Sequence, residues 1–229
     1  MWTRMRAAAL VVAALTLASC GSIHPGDAAV VDGQSISMSK FDKTARIYCK
    51  LTLLSAKEQL EQQAAQQGVP VESLPAPSVP NSDVRRQTIS DLVTILVARD
   101  LAKEEGVTVD KKLYELTPDQ IKEVGTAFPK GDDAEYVELA IENSQEIAAI
   151  AVALAEKSTG VTATNENSNQ LAEEGHAAII AAFKDHDVKF APRFGLSSSL
   201  KEIGPTGSLS VPSTDGRAED ELPADQRCA

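Results

Sequence analysis

Apolar and polar positions change their period several times along the chain, and each change marks an element. Ala7 to Ala18 is almost continuously apolar, with Thr16 the one polar interruption, and Arg4 and Arg6 stand ahead of it. A bilayer-spanning helix needs about 20 apolar residues, and Gly21, Ser22, Pro25 and Gly26 follow at once, so the run reads as the core of a cleaved secretory signal, residues 1–19. Residues 20–27 read as a short tether. Ala28 to Val31, the turn pair Asp32-Gly33 and Gln34 to Ile36 then spell a β-hairpin. An isolated hairpin is only marginally stable, so a third strand is expected elsewhere.

From Ser39, read as the N-cap with Asp42 three residues on, Phe41, Ala45, Tyr48, Leu51 and Leu54 recur at helical spacing, and Gly68 closes the segment. The second half of this helix, Lys57 to Gln67, is polar on every side. Pro70, Pro75, Pro77 and Pro80 make the next stretch a loop. Ser82 is the expected cap of a second helix whose wide apolar face is Ile89, Leu92, Val93, Leu96, Val97 and Leu101. It reads as the most hydrophobic helix of the mature chain and the centre of its core, stopping at Gly106. Thr117-Pro118-Asp119-Gln120 is a capping box with proline at the first helical position, opening a short helix to Phe128. A fourth helix runs from Asp132 or Asp133 through Leu139, Ile147, Ile150 and Leu154 to Gly160. A fifth runs from Asn167 to His186, with Gly175 an interior weakness because glycine costs about 1 kcal/mol against alanine there. Val188 to Phe190 supplies the third strand, confined to an edge by Pro192. Residues 196–229, rich in Ser, Gly, Pro, Asp and Glu, read as a disordered tail.

Charge removes some function classes. The chain carries 22 basic and 33 acidic side chains, a net charge of −11, and loss of the signal removes only cations from it. Nucleic-acid affinity rests on cationic contacts to phosphates, and adhesion to an anionic bilayer needs the same charge sign; neither is expected. Leu17-Ala18-Ser19-Cys20 resembles the lipobox of bacterial lipoproteins at all four positions. That resemblance implies cleavage before Cys20, a diacylglyceryl group on its thiol and acylation, palmitate included, of the new amino terminus. The chain would then sit lipid-anchored at the extracytoplasmic face of the cell membrane, where two acyl chains hold stably and one is marginal.

Candidate chemistry is sparse. Cys49 and Cys228 remain in a compartment that permits disulfides; they pair with each other, or Cys49 is a small buried apolar residue and Cys228 a loose terminal one. Among the histidines His24 falls in the tether, while His176 and His186 are ten positions apart on one helix, about 15 Å of rise, too far for one metal ion. His176 with Glu173 reads as a surface pair. No metal, cofactor or catalytic set is expected: GxSxG, HExxH, phosphate-loop and EF-hand patterns are missing from the sequence, and carboxylates such as Glu104 and Glu105 read as solvated.

In this order of elements the chain resembles the N-terminal chaperone domain of the SurA, PrsA and trigger-factor-like group, in its actinobacterial lipoprotein branch. Three segments carry the likeness: Ala28 to Ser37, similar to an opening "VNGxxIT" hairpin; Arg86 to Val109, similar to an "LI..LL..EA...GI.V" helix and its exit; and Asp187 to Gly195, similar to a returning strand. The resemblance implies a mainly α domain over residues 28–195 with a small sheet closed by the N-terminal hairpin and the C-terminal strand. It implies no parvulin domain, since residues 110–187 lack its glycine-rich segment, and a non-enzymatic function: holding unfolded or newly secreted polypeptides against an apolar cradle. Phe41, Tyr48, Leu51 and Leu54 are the expected client-contacting residues. The alternatives are an adaptor or scaffold lipoprotein that binds one envelope protein and, third, a diverged peptidyl-prolyl isomerase.

Overall fold

A computed structural model describes residues 23–75, 79–128, 133–204 and 227–228. The signal segment and Cys20 lie outside the described residues. Strand β1 (Asp27–Val31) turns through Asp32 and Gly33 into β2 (Gln34–Ser37), with Val31 opposite Gln34. Both turn residues have positive φ, 47° and 83°. A two-residue turn of this hand matches the twist of the flanking strands and needs glycine or a residue tolerant of the left-handed region, which Asp-Gly supplies. Strand β3 (Val188–Phe190) pairs antiparallel with the other edge of β1, giving the order β2-β1-β3. β1 is therefore central, which is why its Ala28 to Val31 are all buried.

The rest is helical: α1 (Met38–Gln67), α2 (Asn81–Glu104), α3 (Pro118–Ala127), α4 (Asp133–Thr159) and α5 (Ser168–Ala182). The mainly α class with a small three-stranded antiparallel sheet is thus as the periodicities predict. Caps decide the differences at the ends. α1 is capped by Ser37, whose hydroxyl accepts from the Lys40 N–H, and not by Ser39. α2 starts after Pro80, ahead of Ser82. α3 has the full capping box of Thr117 and Gln120. α5 stops at Ala182, four residues before His186, and continues as a 3-10 turn, Phe183–Asp185.

α2 packs on α1, α4, α5 and β1 and so forms the centre of the core, with Ile89, Leu92, Val93, Ile95, Val97 and Ala98 buried. It is not the most apolar helix: alanine-rich α4 and α5 exceed it, but they bury less of their circumference. α4 and α5 make the closest helix pair of the fold. Gly175 explains how, because a Cβ there would lie 1.8 Å from the Ala151 carbonyl oxygen. The residue that weakens α5 as an isolated helix is what lets it dock.

The tether and the tail both need correction at their inner ends. Residues 24–27 already form a turn, the Asp27 N–H donating to the His24 carbonyl at 3.0 Å. Residues 196–204 are not a disordered tail: Leu196 is buried, the Ile203 N–H donates to the Gly195 carbonyl at 2.7 Å, and Glu202 pairs with Arg86. Residues 205–226 lie outside the described residues, and Arg227 returns to bridge Pro80.

Candidate functional site

Helix α1 carries all four residues expected to contact a client, and the structure separates them. Phe41 is fully buried. Its ring meets Phe194 edge-on at 4.8 Å, and the Arg85 guanidinium lies 4.5 Å from its centroid. Arg85 is fixed there by Asp42 at 2.7 Å. Phe41 is consequently a core residue that holds the segment after β3 onto α1, and it is removed from any client surface.

Tyr48 is half-buried and its hydroxyl donates to Asp91 on α2. Burial first, and then the negative charge of Asp91, push the phenol well above its ordinary range. Burial also raises the Asp91 carboxyl, against the lowering effect of its donors Tyr48 and Gln87, the latter at 2.6 Å, and of the nearby His176. Tyr48 therefore donates to a half-buried acceptor, which would be costly left alone. Leu51 is half-buried against the small cluster of Ile47, Phe128 and Val137. Leu54 alone of the four is exposed, at 43%.

Between these positions, Cys49 is joined to Cys228 with Cα atoms 5.2 Å apart. The Cys228 N–H donates to the Val79 carbonyl at 2.9 Å, and both sulfurs are buried with Val84. The pairing alternative for these cysteines is thus the one realised. It ties the end of the chain to the middle of α1, at the start of α2.

Past Cys49 the character of α1 changes. Residues 50–67 continue the helix for about 27 Å, yet Ala64 is its one buried residue there. A short strap covers part of this arm: Gly68 caps the helix in the left-handed conformation, the Val69 N–H donates to the Ala64 carbonyl at 3.1 Å, and Val71 and Leu74 are half-buried along it. Glutamines and the exposed pair Lys57 and Glu61 coat the remainder. Leu54 and, on the strap, Val69 at 37% are its exposed large apolar residues.

At the opposite end, where hairpin and returning strand meet, stands a cluster that the sequence reading missed. The Asp32 carboxylate accepts from His186 Nδ1 at 2.5 Å and from the Asp187 N–H at 2.8 Å. Partial burial works to raise the Asp32 carboxyl, but the His186 and Asp187 hydrogen bonds and the charge of His186 prevail and hold it below the ordinary carboxylate range. Asp100 on α2 completes a set of three whose nearest ligand-capable atoms lie within 4.8 Å of one another. A search for histidine pairs close in sequence cannot find this set, because Asp32 and His186 are 154 positions apart.

Comparison of the chain with protein-family models, with curated proteins and with solved structures gives no match. Among the described residues no helix is long and apolar enough to cross a membrane.

Proposed function

We propose that the chain is a lipid-anchored protein of the extracytoplasmic face that binds unfolded or newly secreted polypeptides without catalysis, using the distal arm of α1 and its strap. The observation that carries this reading is the arm itself. A helix that extends about 21 Å beyond Leu53, its last contact with a core cluster, and buries Ala64 alone in that length does little for the fold, and exposed backbone-rigid surface of this kind suits contact with another chain. The lipobox-like end at Cys20 supplies the tether, and the pairing of Cys49 with Cys228 fits an oxidising compartment. The SurA-like descent belongs to the same proposal, supported by the closure of one sheet from both ends of the helical body.

A second reading, an adaptor that binds one folded envelope protein, draws support from the burial of Phe41 and the half-burial of Tyr48 and Leu51. These leave Leu54 and Val69 in place of a broad apolar cradle, and isolated exposed apolar residues are common on any surface. One experiment separates the two. The full chain in lipid nanodiscs is mixed with a chemically unfolded protein, and light scattering follows aggregation on dilution. Protection near stoichiometric ratio, weakened by Leu54→Asp, supports polypeptide holding. No protection, with one envelope protein captured by crosslinkers placed on the arm, supports the adaptor. No protection and no capture overturns both.

A further inference from the structure

We propose that Asp32, Asp100 and His186 form a binding site for a divalent transition-metal ion of the zinc class, which locks the hairpin, α2 and the returning strand together. The three residues come from three separate segments: the β1–β2 turn, the last turns of α2 and the link between α5 and β3. Their donor atoms, two carboxylate oxygens and one imidazole nitrogen, lie within 4.8 Å of one another. Carboxylate with imidazole is a donor set that zinc and its neighbours accept, whereas calcium and magnesium prefer oxygen alone. Zinc takes such donors at about 2.0–2.2 Å, so small side-chain rotations close the set around one ion, with water completing the shell.

Two further observations point to a ligand. The His186 side chain is only 7% exposed, and its Nδ1 lies 2.5 Å from the Asp32 carboxylate, where an ion would take the place of the shared proton. Asp100, half-buried beside the Asp32 carboxylate, has no hydrogen bond or ion pair among the described residues. Asp32 and Asp100 thus bring two carboxylates within reach of one cation. The Asp32–His186 contact is accounted for by joining the turn to the returning strand; the position of Asp100 is not.

The full chain in detergent, stripped with a chelator, is titrated with zinc sulfate by calorimetry and then heated. One zinc ion per chain should bind at micromolar concentration, and the melting temperature should rise by several degrees at saturation and fall back on adding chelator. Asp100→Asn should leave the melting temperature of the metal-free protein unchanged or higher and remove both the binding and the shift. His176→Ala should leave both intact. Absence of stoichiometric binding to the wild-type chain, binding that survives Asp100→Asn, or binding lost on His176→Ala would each overturn the site.

Discussion

The two ends of α1 are built from one continuous helix and live in different environments. Its first three turns bury Phe41, Thr44, Ala45 and Ile47, and Phe41, Ala45 and Ile47 join core clusters drawn from elements distant in sequence. Its last turns repeat the same backbone with glutamines and bury Ala64 alone. The near end is held by tertiary packing, whose loss anywhere is felt throughout a cooperative unit. The far end is held by helix propensity, a left-handed cap and a short strap, which give far less stability per residue and allow local opening. Cys49 stands at the border between them.

Cutting that border should have the largest effect. Cys49→Ser opens a crosslink that spans 179 positions, and its removal should cost about 2–5 kcal/mol by loss of the constraint on the unfolded chain. Denaturant unfolding of the oxidised wild type against the variant measures it, with the reduced wild type matching the variant. Next comes the core end. Gly175→Ala drives a methyl into the Ala151 carbonyl, and because backbone cannot swing aside as a long side chain would, α4 and α5 must separate, at about 3 kcal/mol. If the variant instead gains stability, as helix propensity alone would have it, the close crossing of α4 and α5 is wrong.

Gly175 also shows where sequence reasoning stops. Element order was readable because each device is local: the Asp-Gly turn, the capping box of Thr117 and Gln120, the period of Ile89 to Leu101, the glycines at 68, 106 and 160. Helical spacing likewise marks Phe41 as apolar-faced, but what covers it is Phe194, which lies beyond the last strand, so its burial could not be told from exposure. The intrinsic cost of glycine in α5 is equally local and points the wrong way, since the benefit lies on α4. Residues 196–204 have the composition of a tail and are ordered by Arg86 and the β3 end of the core. The Asp32, Asp100 and His186 set is likewise brought together by the closing of the sheet.

The contact between Tyr48 and Asp91 joins α1 to α2 just before the border, and intermediate effects are expected there. Tyr48→Phe removes a donor from a half-buried carboxylate and should cost about 1–2 kcal/mol. Asp91→Asn keeps an acceptor for Tyr48 while discarding the charge. Because the folded protein holds the Asp91 carboxyl above its ordinary value, the proton is bound more tightly in the native state; the stability this contributes is complete below the unfolded pKa, near 3.9, and is lost as pH rises through the folded value. The amide variant should therefore be more stable than wild type at pH 7 and lose that advantage in acid, which urea titrations at the two pH values would reveal. An advantage that grows on acidification would mean that Asp91 is stabilised as the anion.

The smallest effect is expected in the arm, and it bears most directly on what the arm is for. Gln62 is exposed in the middle of it, so Gln62→Gly should lower helix stability by about 1 kcal/mol without touching a core contact. If the arm opens independently of the core, amide exchange across residues 55–67 should quicken roughly fivefold, the factor that 1 kcal/mol implies at 25 °C, while exchange in the buried centre of α2 and the global unfolding midpoint stay unchanged. If α2 exchange accelerates equally, the arm is part of the cooperative fold and its exposure has a structural reason. Local opening without a global cost would instead describe an element whose rigidity can be completed by whatever binds it, the condition under which polypeptide binding should slow exchange in the arm and nowhere in α2.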